Sequence, residues 1–241
     1  MEEDFMHRFA LDIDPVTYIR NMLGGNTPDP IQAVVLAELG GAESIVCYLR
    51  DDLSTTSERD LALFRQIVKT YLNVRSNITE ANIRKLLRVK PDMLTFVTPA
   101  EVSVVEPTPL NVGLYENQLQ NYIPELRSNN ILSSVLIEPD ISQVKLAGRL
   151  EFDYVEIDAS PLSEATDMDS EMQALAQIEE IAMAANKLGM GVNISGKIGY
   201  ENIRDIANIE YLEDIIVGKP VLIRALAIGF EQAVRDILTL L

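Results

Sequence analysis

Histidine is almost missing from this chain of 241 residues: there is one, His7, close to the N-terminus. Histidine is the usual proton carrier near neutral pH, so any other general base has to be Asp, Glu, Lys, Tyr or Cys. The usual zinc and copper sites are excluded on the same ground. Cysteine is as scarce. Cys47 stands alone, cannot close an internal disulfide, and sets a reducing, cytoplasmic environment as the default. Within "SIVCYL" it reads as a buried, inert thiol facing surrounding helices. The opening "MEEDFMHRFA" has no positive region leading into an apolar run, so no signal peptide is expected. No apolar segment approaches the length of a membrane span. Basic charge is the third shortage, with 20 Lys+Arg against 37 Asp+Glu and a net charge of −17. Neither nucleic acid nor an anionic membrane is attracted to such a surface. A small anion remains possible, because a few local cations set a local field.

What the chain does have is alternation. Short apolar runs exchange with amphipathic stretches of helical period. Strands are expected at 9–14, 44–49, 72–77, 92–98, 132–138, 153–158, 190–195 and 213–218. Helices are expected at 29–41, 57–71 (capped by Ser57), 79–90 (capped by Thr79), 112–130 (disturbed at Pro124), 140–150, 169–189, 199–209 and 220–241. A proline-bearing loop, "PAEVSVVEPTPLN" (99–111), interrupts the series, and residues 1–8 read as a ragged start. Eight strands each followed by a helix make a (β/α)8 TIM barrel, one domain over 1–241. An open doubly wound sheet is the competing fold. It is disfavoured because the first strand-to-helix loop lacks G-x-G-x-x-G.

Barrels place their chemistry at the C-terminal strand ends. Here those ends carry Asp12 and Asp14, Tyr48 and Arg50, Asn73 and Arg75, Glu138, Glu156 and Asp158, then Asn193 and Ser195. Tyr48 and Arg50 fall on one face of strand two, and a charge on an inner face needs a partner or a ligand. The loops after strands seven and eight hold Gly196, Lys197, Gly199, Gly218 and Lys219, just before expected helix N-termini, where N–H groups bind anions. Phosphate, or a phosphorylated small molecule, is therefore the expected ligand. Glycine for turns alone is the plainer alternative. Arg50 and Arg75 are equally well explained as internal ion pairs with Asp14, Glu138, Glu156 or Asp158. The carboxylates suit magnesium chemically, but no spacing specifies a metal, and neither metal nor cofactor is expected.

Nearly the whole chain, from "LDIDPVTYIRN" to "GFEQAVRDI", resembles the pyridoxine 5′-phosphate synthase family. The pieces that carry the resemblance are "PDPIQAVVLAELGGAESIVCYLRDD", "LNVRSNITEANIRKLLRVKPDM", "VNISGKIGYENI" and "IIVGKPVLIRAL". Family members read "NIDH", "PDPVQAA…HLRED", "NLE", "NAGHGL" and "IGH" at the corresponding places. The resemblance implies a barrel with extra helices, assembled as an octamer built from dimers. It also implies condensation of 1-deoxy-D-xylulose 5-phosphate with 3-amino-2-oxopropyl phosphate to pyridoxine 5′-phosphate, releasing phosphate and water. Histidine and glutamate carry the protons in that family.

Those carriers are replaced here. The histidine of "HLRED" falls at Tyr48, the glutamate of "NLE" at Arg75 and the histidine of "NAGHGL" at Gly196. The histidines of "NIDH" and "IGH" fall at Pro15 and Lys219, and the second arginine of the family's "RNARG" at Leu23. Asp14, Arg50, Asp52, Asn73, Asn193 and Gly218 match, while the first asparagine of "NIDH" is Asp12. Tyrosine, with an unperturbed pKa of about 10, is far from a base poised near neutral. The first expectation is therefore a catalytically degenerate homologue. It would keep part of a phosphometabolite-binding mouth, with Asp12, Asp14, Arg50, Asn193, Lys197, Gly218 and Lys219 as substrate contacts. The alternatives are an active synthase, a phosphosugar enzyme using Tyr48, Lys197 and Lys219 (a lysine of lowered pKa could form a Schiff base), or a homo-oligomer acting through its surface.

Overall fold

The computed structural model describes residues 7–52, 54–99 and 106–241. Residues 100–105 of the expected proline-bearing loop, and residues 1–6 of the expected ragged start, lie outside the described residues. Eight strands pair in sequence order, all parallel: β1 (Arg8–Asp12), β2 (Ser44–Leu49), β3 (Tyr71–Ser76), β4 (Met93–Phe96), β5 (Leu132–Ile137), β6 (Tyr154–Asp158), β7 (Gly191–Ser195) and β8 (Leu212–Val217). β8 returns to β1, with Arg8 opposite Asp214, and closes the barrel. Around it run α1 (Asp14–Leu23), α2 (Pro30–Gly40), α3 (Glu58–Ile67), α4 (Glu80–Val89), α5 (Glu116–Ser128) and α6 (Ile141–Arg149). The ring continues with α7 (Ser160–Glu164), α8 (Met168–Lys187), α9 (Ile203–Ile206), α10 (Lys219–Ile228) and α11 (Phe230–Leu238).

Strand alternation sorts the core into two parts. On β2, Ile45, Cys47 and Leu49 face outward into a continuous apolar layer with Phe64, Leu61 and the other helix residues. Val46 and Tyr48 face inward and pack in separate small clusters with Ala10 and Ile216, and with Val97 and Leu136. Cys47 is fully buried in the outer layer, and burial raises its thiol pKa well above the ordinary value. At the N-terminal end of the barrel, Arg8 pairs with Asp214 at 2.6 Å and lies 5.6 Å over the Tyr71 ring. β1 thus begins inside the segment expected to be ragged. His7 is also fixed there, its two ring nitrogens 2.8 Å from the Leu212 and Ala207 carbonyl oxygens.

Local chemistry explains the helix starts. Ser57 forms a capping box with Asp60, and Thr79 accepts from Asn82 N at the start of α4. Strand one was expected to reach Asp14. It stops at Asp12, because Asp14 opens α1 and Pro15 sits in that helix's first turn, where a missing N–H costs nothing. The expected 199–209 helix is a single turn, Ile203–Ile206. The expected last helix divides at Gly229, whose φ of +87° takes the chain out of the helical region. α5 carries Pro124 within it and continues to Ser128. No described helix is long and apolar enough to cross a membrane.

α2 and α11 approach closely at Gly40. A Cβ there would meet Val234 Cβ at 2.8 Å and the Glu231 carbonyl oxygen at 2.9 Å. Gly40→Ala is expected to lower the unfolding free energy by about 1–3 kcal/mol through overpacking, read from denaturant midpoints at constant slope.

Candidate active site

At the C-terminal mouth of the barrel lies a cavity of about 610 Å³. Its floor is Asp12, Asp14, Arg75, Asp158 and Ser195, its rim Lys197, Lys219, Glu106 and Glu201. One wall is apolar, with Ile19 from α1 and Leu222, Ile223 and Leu226 from α10.

The floor is organised by Arg75. Its position on β3 points inward, opposite Tyr48 on β2 and Thr95 on β4. Its guanidinium donates to Glu156 Oε1 from Nη2 (2.5 Å) and Nε (3.1 Å), and to Asp12 Oδ2 from Nη1 (2.7 Å). Arg75 and Glu156 are almost fully buried. Burial lowers the pKa of the arginine, but Glu156 and Asp12 more than offset it and the pKa rises. Ser195 Oγ donates to the same Glu156 oxygen at 2.5 Å. Of the expected partners of Arg75, Glu156 is the one that pairs with it; its second partner is Asp12, which was not among those expected.

Asp14 lies against this pair without joining it. Its Oδ1 accepts from Tyr48 N (3.0 Å) and Thr56 Oγ1 (3.3 Å), while its buried Oδ2 has no hydrogen-bond partner. Burial, then the charge of Asp12, raises its pKa well above the ordinary carboxylate range. Asp158, at the end of β6, accepts from Ser160 N (3.0 Å) and Ser160 Oγ (2.6 Å). Its pKa is raised mainly by burial, against the pull of Ser160.

The expected contacts divide into two groups. Asp12, Asp14, Lys197, Gly218 and Lys219 line the cavity, as do Gly196 and Arg75. Tyr48, Arg50 and Asn193 are not among its described lining residues. Arg50 does not lie on the inner face of β2. That strand ends at Leu49, and Arg50 turns onto Asp52 through Nε–Oδ1 (3.0 Å) and Nη2–Oδ2 (2.8 Å), 5.7 Å over the Tyr48 ring. These bonds from Arg50 lower the Asp52 pKa to about 2. Asn193 sits deeper in the barrel, its Oδ1 accepting from Asp214 N at 3.3 Å. The Tyr48 hydroxyl donates to the Thr98 carbonyl at 3.3 Å. Glu138 is exposed beyond β5.

The two glycine-lysine loops differ from each other. After β7, Lys197 adopts φ +50°, its ammonium meets Glu164 at 2.5 Å, and Asn202 occupies Gly199 N. Glu164 raises the Lys197 pKa, which opposes a neutral amine and so a Schiff base there. With α9 only one turn long, this loop offers no helix N-terminus of the expected kind. After β8, Gly218 leads directly into α10. A Cβ at 218 would meet Asp12 Cβ at 2.9 Å, so glycine is what lets β8 and β1 converge. Lys219 stands at the rim, mostly exposed, 3.6 Å from Glu106. The apolar wall from α10 went unrecognised in the sequence. Its signal was the run "PVLIRALAI", whose Ile223 and Leu226 are exposed.

Fold and site together define a (β/α)8-barrel protein with an ionisable, half-apolar mouth of metabolite size. Solved barrels show the same fold. A thiamine phosphate pyrophosphorylase from Pyrococcus furiosus aligns with a TM-score of 0.63 at 14% identity, covering 98% of this chain and 96% of its own. Phosphoribosylanthranilate isomerase from Thermotoga maritima gives 0.62 at 10% identity, covering 98% of each chain. At sequence level the match is closer. The family model "Pyridoxal phosphate biosynthesis protein PdxJ" matches residues 9–241. Pyridoxine 5′-phosphate synthases from Geotalea daltonii and Geobacter sulfurreducens are 36% and 35% identical, each over 98% of both chains. The chain belongs to the pyridoxine 5′-phosphate synthase family, of vitamin B6 biosynthesis.

Two outcomes follow from the floor. Arg75→Ala is expected to cost about 3–5 kcal/mol, because it leaves Glu156 buried and unpaired; chemical denaturation measures it. Asp14→Asn is expected to behave differently. A carboxyl with a raised folded-state pKa contributes full stability below its unfolded pKa and loses it as pH rises through the folded value. The amide removes that loss. The variant should therefore match the wild type near pH 4 and melt at the same or a higher temperature at pH 8, read by calorimetry across that range.

Proposed function

We propose that this chain is an active synthase of its family. It would bind phosphorylated substrates in the barrel mouth and move protons with carboxyl groups where the family uses imidazole. The observation that carries this reading is the pair Asp14 and Asp158. Both line the mouth cavity and both have raised pKa values, Asp14 beside an arginine already committed to other carboxylates. Full-length similarity to proteins named as synthases supports catalysis over the degenerate reading that the missing histidines first suggested. Lys197 and Lys219 at the rim, with the start of α10, are the groups that would receive a phosphate. Assembly as a homo-oligomer belongs to the same reading. Met22, Leu23, Ile223 and Leu226, all more than half exposed, are the apolar surface in its support.

A binding-only homologue is the second reading, favoured by the Arg75–Glu156–Asp12 arrangement, which occupies the floor of the mouth with charges already paired to one another. A phosphosugar enzyme built on Tyr48 has less support, since that hydroxyl is turned to Thr98.

The test is purified protein with 1-deoxy-D-xylulose 5-phosphate and 3-amino-2-oxopropyl phosphate, following pyridoxine 5′-phosphate, beside thermal-shift titrations with that product and with inorganic phosphate. Product formation is the expected result. A ligand-dependent rise in melting temperature without product would establish the binding-only reading instead.

A further inference from the structure

The family's histidine of "NAGHGL" falls at Gly196, and the room its side chain would need is not empty. Asp158 closes β6 and stands opposite Ser195 on β7, so Gly196 follows immediately beside it. Gly196 adopts φ +97°. A Cβ on it would lie 2.0 Å from Asp158 Oδ1, 2.9 Å from Ser160 Oγ and 3.0 Å from Ala159 N. A side chain at 196 and the Asp158 carboxyl as it stands therefore exclude each other. Glycine here gives the carboxyl its place in the mouth.

Resting on the synthase reading, we infer that Asp158 is the proton-carrying catalytic residue of the mouth, standing in the space that a side chain at 196 would fill. The other carboxyls of the cavity are less suited. Glu156 and Asp12 are both bound to Arg75. Asp14 Oδ2 is sealed from solvent. Glu106 faces Lys219, and Glu201 stands at the exposed rim, where water sets its surroundings. Asp158 is part-buried, and both of its hydrogen bonds fall on Oδ1. Ser160 thus fixes the carboxyl while Oδ2 stays available to a substrate. Burial first, then the charges of Glu156 and Glu164, raises its pKa against the pull of the two Ser160 bonds, the direction that favours holding a proton for transfer.

The step it would perform is the loss of water. The protonated carboxyl gives its proton to a substrate hydroxyl as the C–O bond breaks, and water leaves. The carboxylate then takes the proton released from the adjacent substrate atom as the double bond forms. The acid is restored, and the net change is removal of one water from the substrate.

The experiment is steady-state turnover of the two substrates by wild type, Asp158→Asn and Asp158→Glu across pH, with thermal shifts by inorganic phosphate as the binding control. Asp158→Asn should lower kcat by about 10²- to 10⁴-fold while the phosphate-induced shift persists, and Asp158→Glu should recover part of the rate. In the wild type, kcat should show a limb above the ordinary carboxylate range that the asparagine variant lacks. Wild-type rate and pH profile in Asp158→Asn would overturn the inference and leave the synthase reading standing. So would a wild-type profile with no such limb, whether or not the variants fold. Absence of product from the wild type itself would overturn the synthase reading and this inference with it.

Discussion

The guanidinium of Arg75 governs the charge at the mouth of the barrel. It joins three non-neighbouring strands, with its own β3 tied to β1 through Asp12 and to β6 through Glu156. Taking a single charge this deep costs several kcal/mol, so the arrangement holds only as a complete set. Two carboxylates use the one cation. Asp14, the third acid near it, receives attraction from Arg75 but more repulsion from Asp12, and burial adds to that. Its raised pKa follows first from burial and then from Asp12, with Arg75 offsetting only part of both.

The barrel itself was readable because period-two alternation and helical amphipathicity are written in every unit. Val46 and Tyr48 against Ile45, Cys47 and Leu49 is enough to say which face of β2 meets helices. Capping by Ser57 and Thr79 was equally local and equally readable. The failures share a physical origin. Arg50 was placed on the inner face by counting residues along a strand, but the strand stops at Leu49. Past that point direction is set by a loop carboxylate, Asp52, two residues on. The 199–209 segment has helical period, yet Asn202 takes Gly199 N and only one turn of helix forms. Side-chain competition of that kind does not show in a periodicity.

The site was legible in outline and not in its pairings. Counting strand ends brought Asp12, Asp14, Arg75, Asp158 and the two glycine-lysine loops to one place, and of these residues the cavity is lined by all but Gly199. Which carboxylate takes which cation depends on barrel geometry. Glu156 reaches Arg75 across the lumen from a strand 81 residues away in sequence. Asn193 illustrates the converse. It matches the family pattern, but its side chain braces Asp214 N inside the barrel, so a matched residue need not be a substrate contact.

The scarcity of histidine looked at first like the loss of chemistry. The argument holds only if imidazole is the sole side chain able to exchange protons near neutrality. A carboxyl in water is nearly all ionised there, which is why histidine is the default. Partial burial beside like charge reduces that disadvantage by disfavouring the ionised form. In this mouth such burial comes with a geometric partner, since Gly196 yields the space that Asp158 occupies. A side chain at 196 and the Asp158 carboxyl in its present place would occupy the same space. The number of histidines in the sequence therefore does not measure how many proton carriers the site has; the surroundings of its carboxyls do.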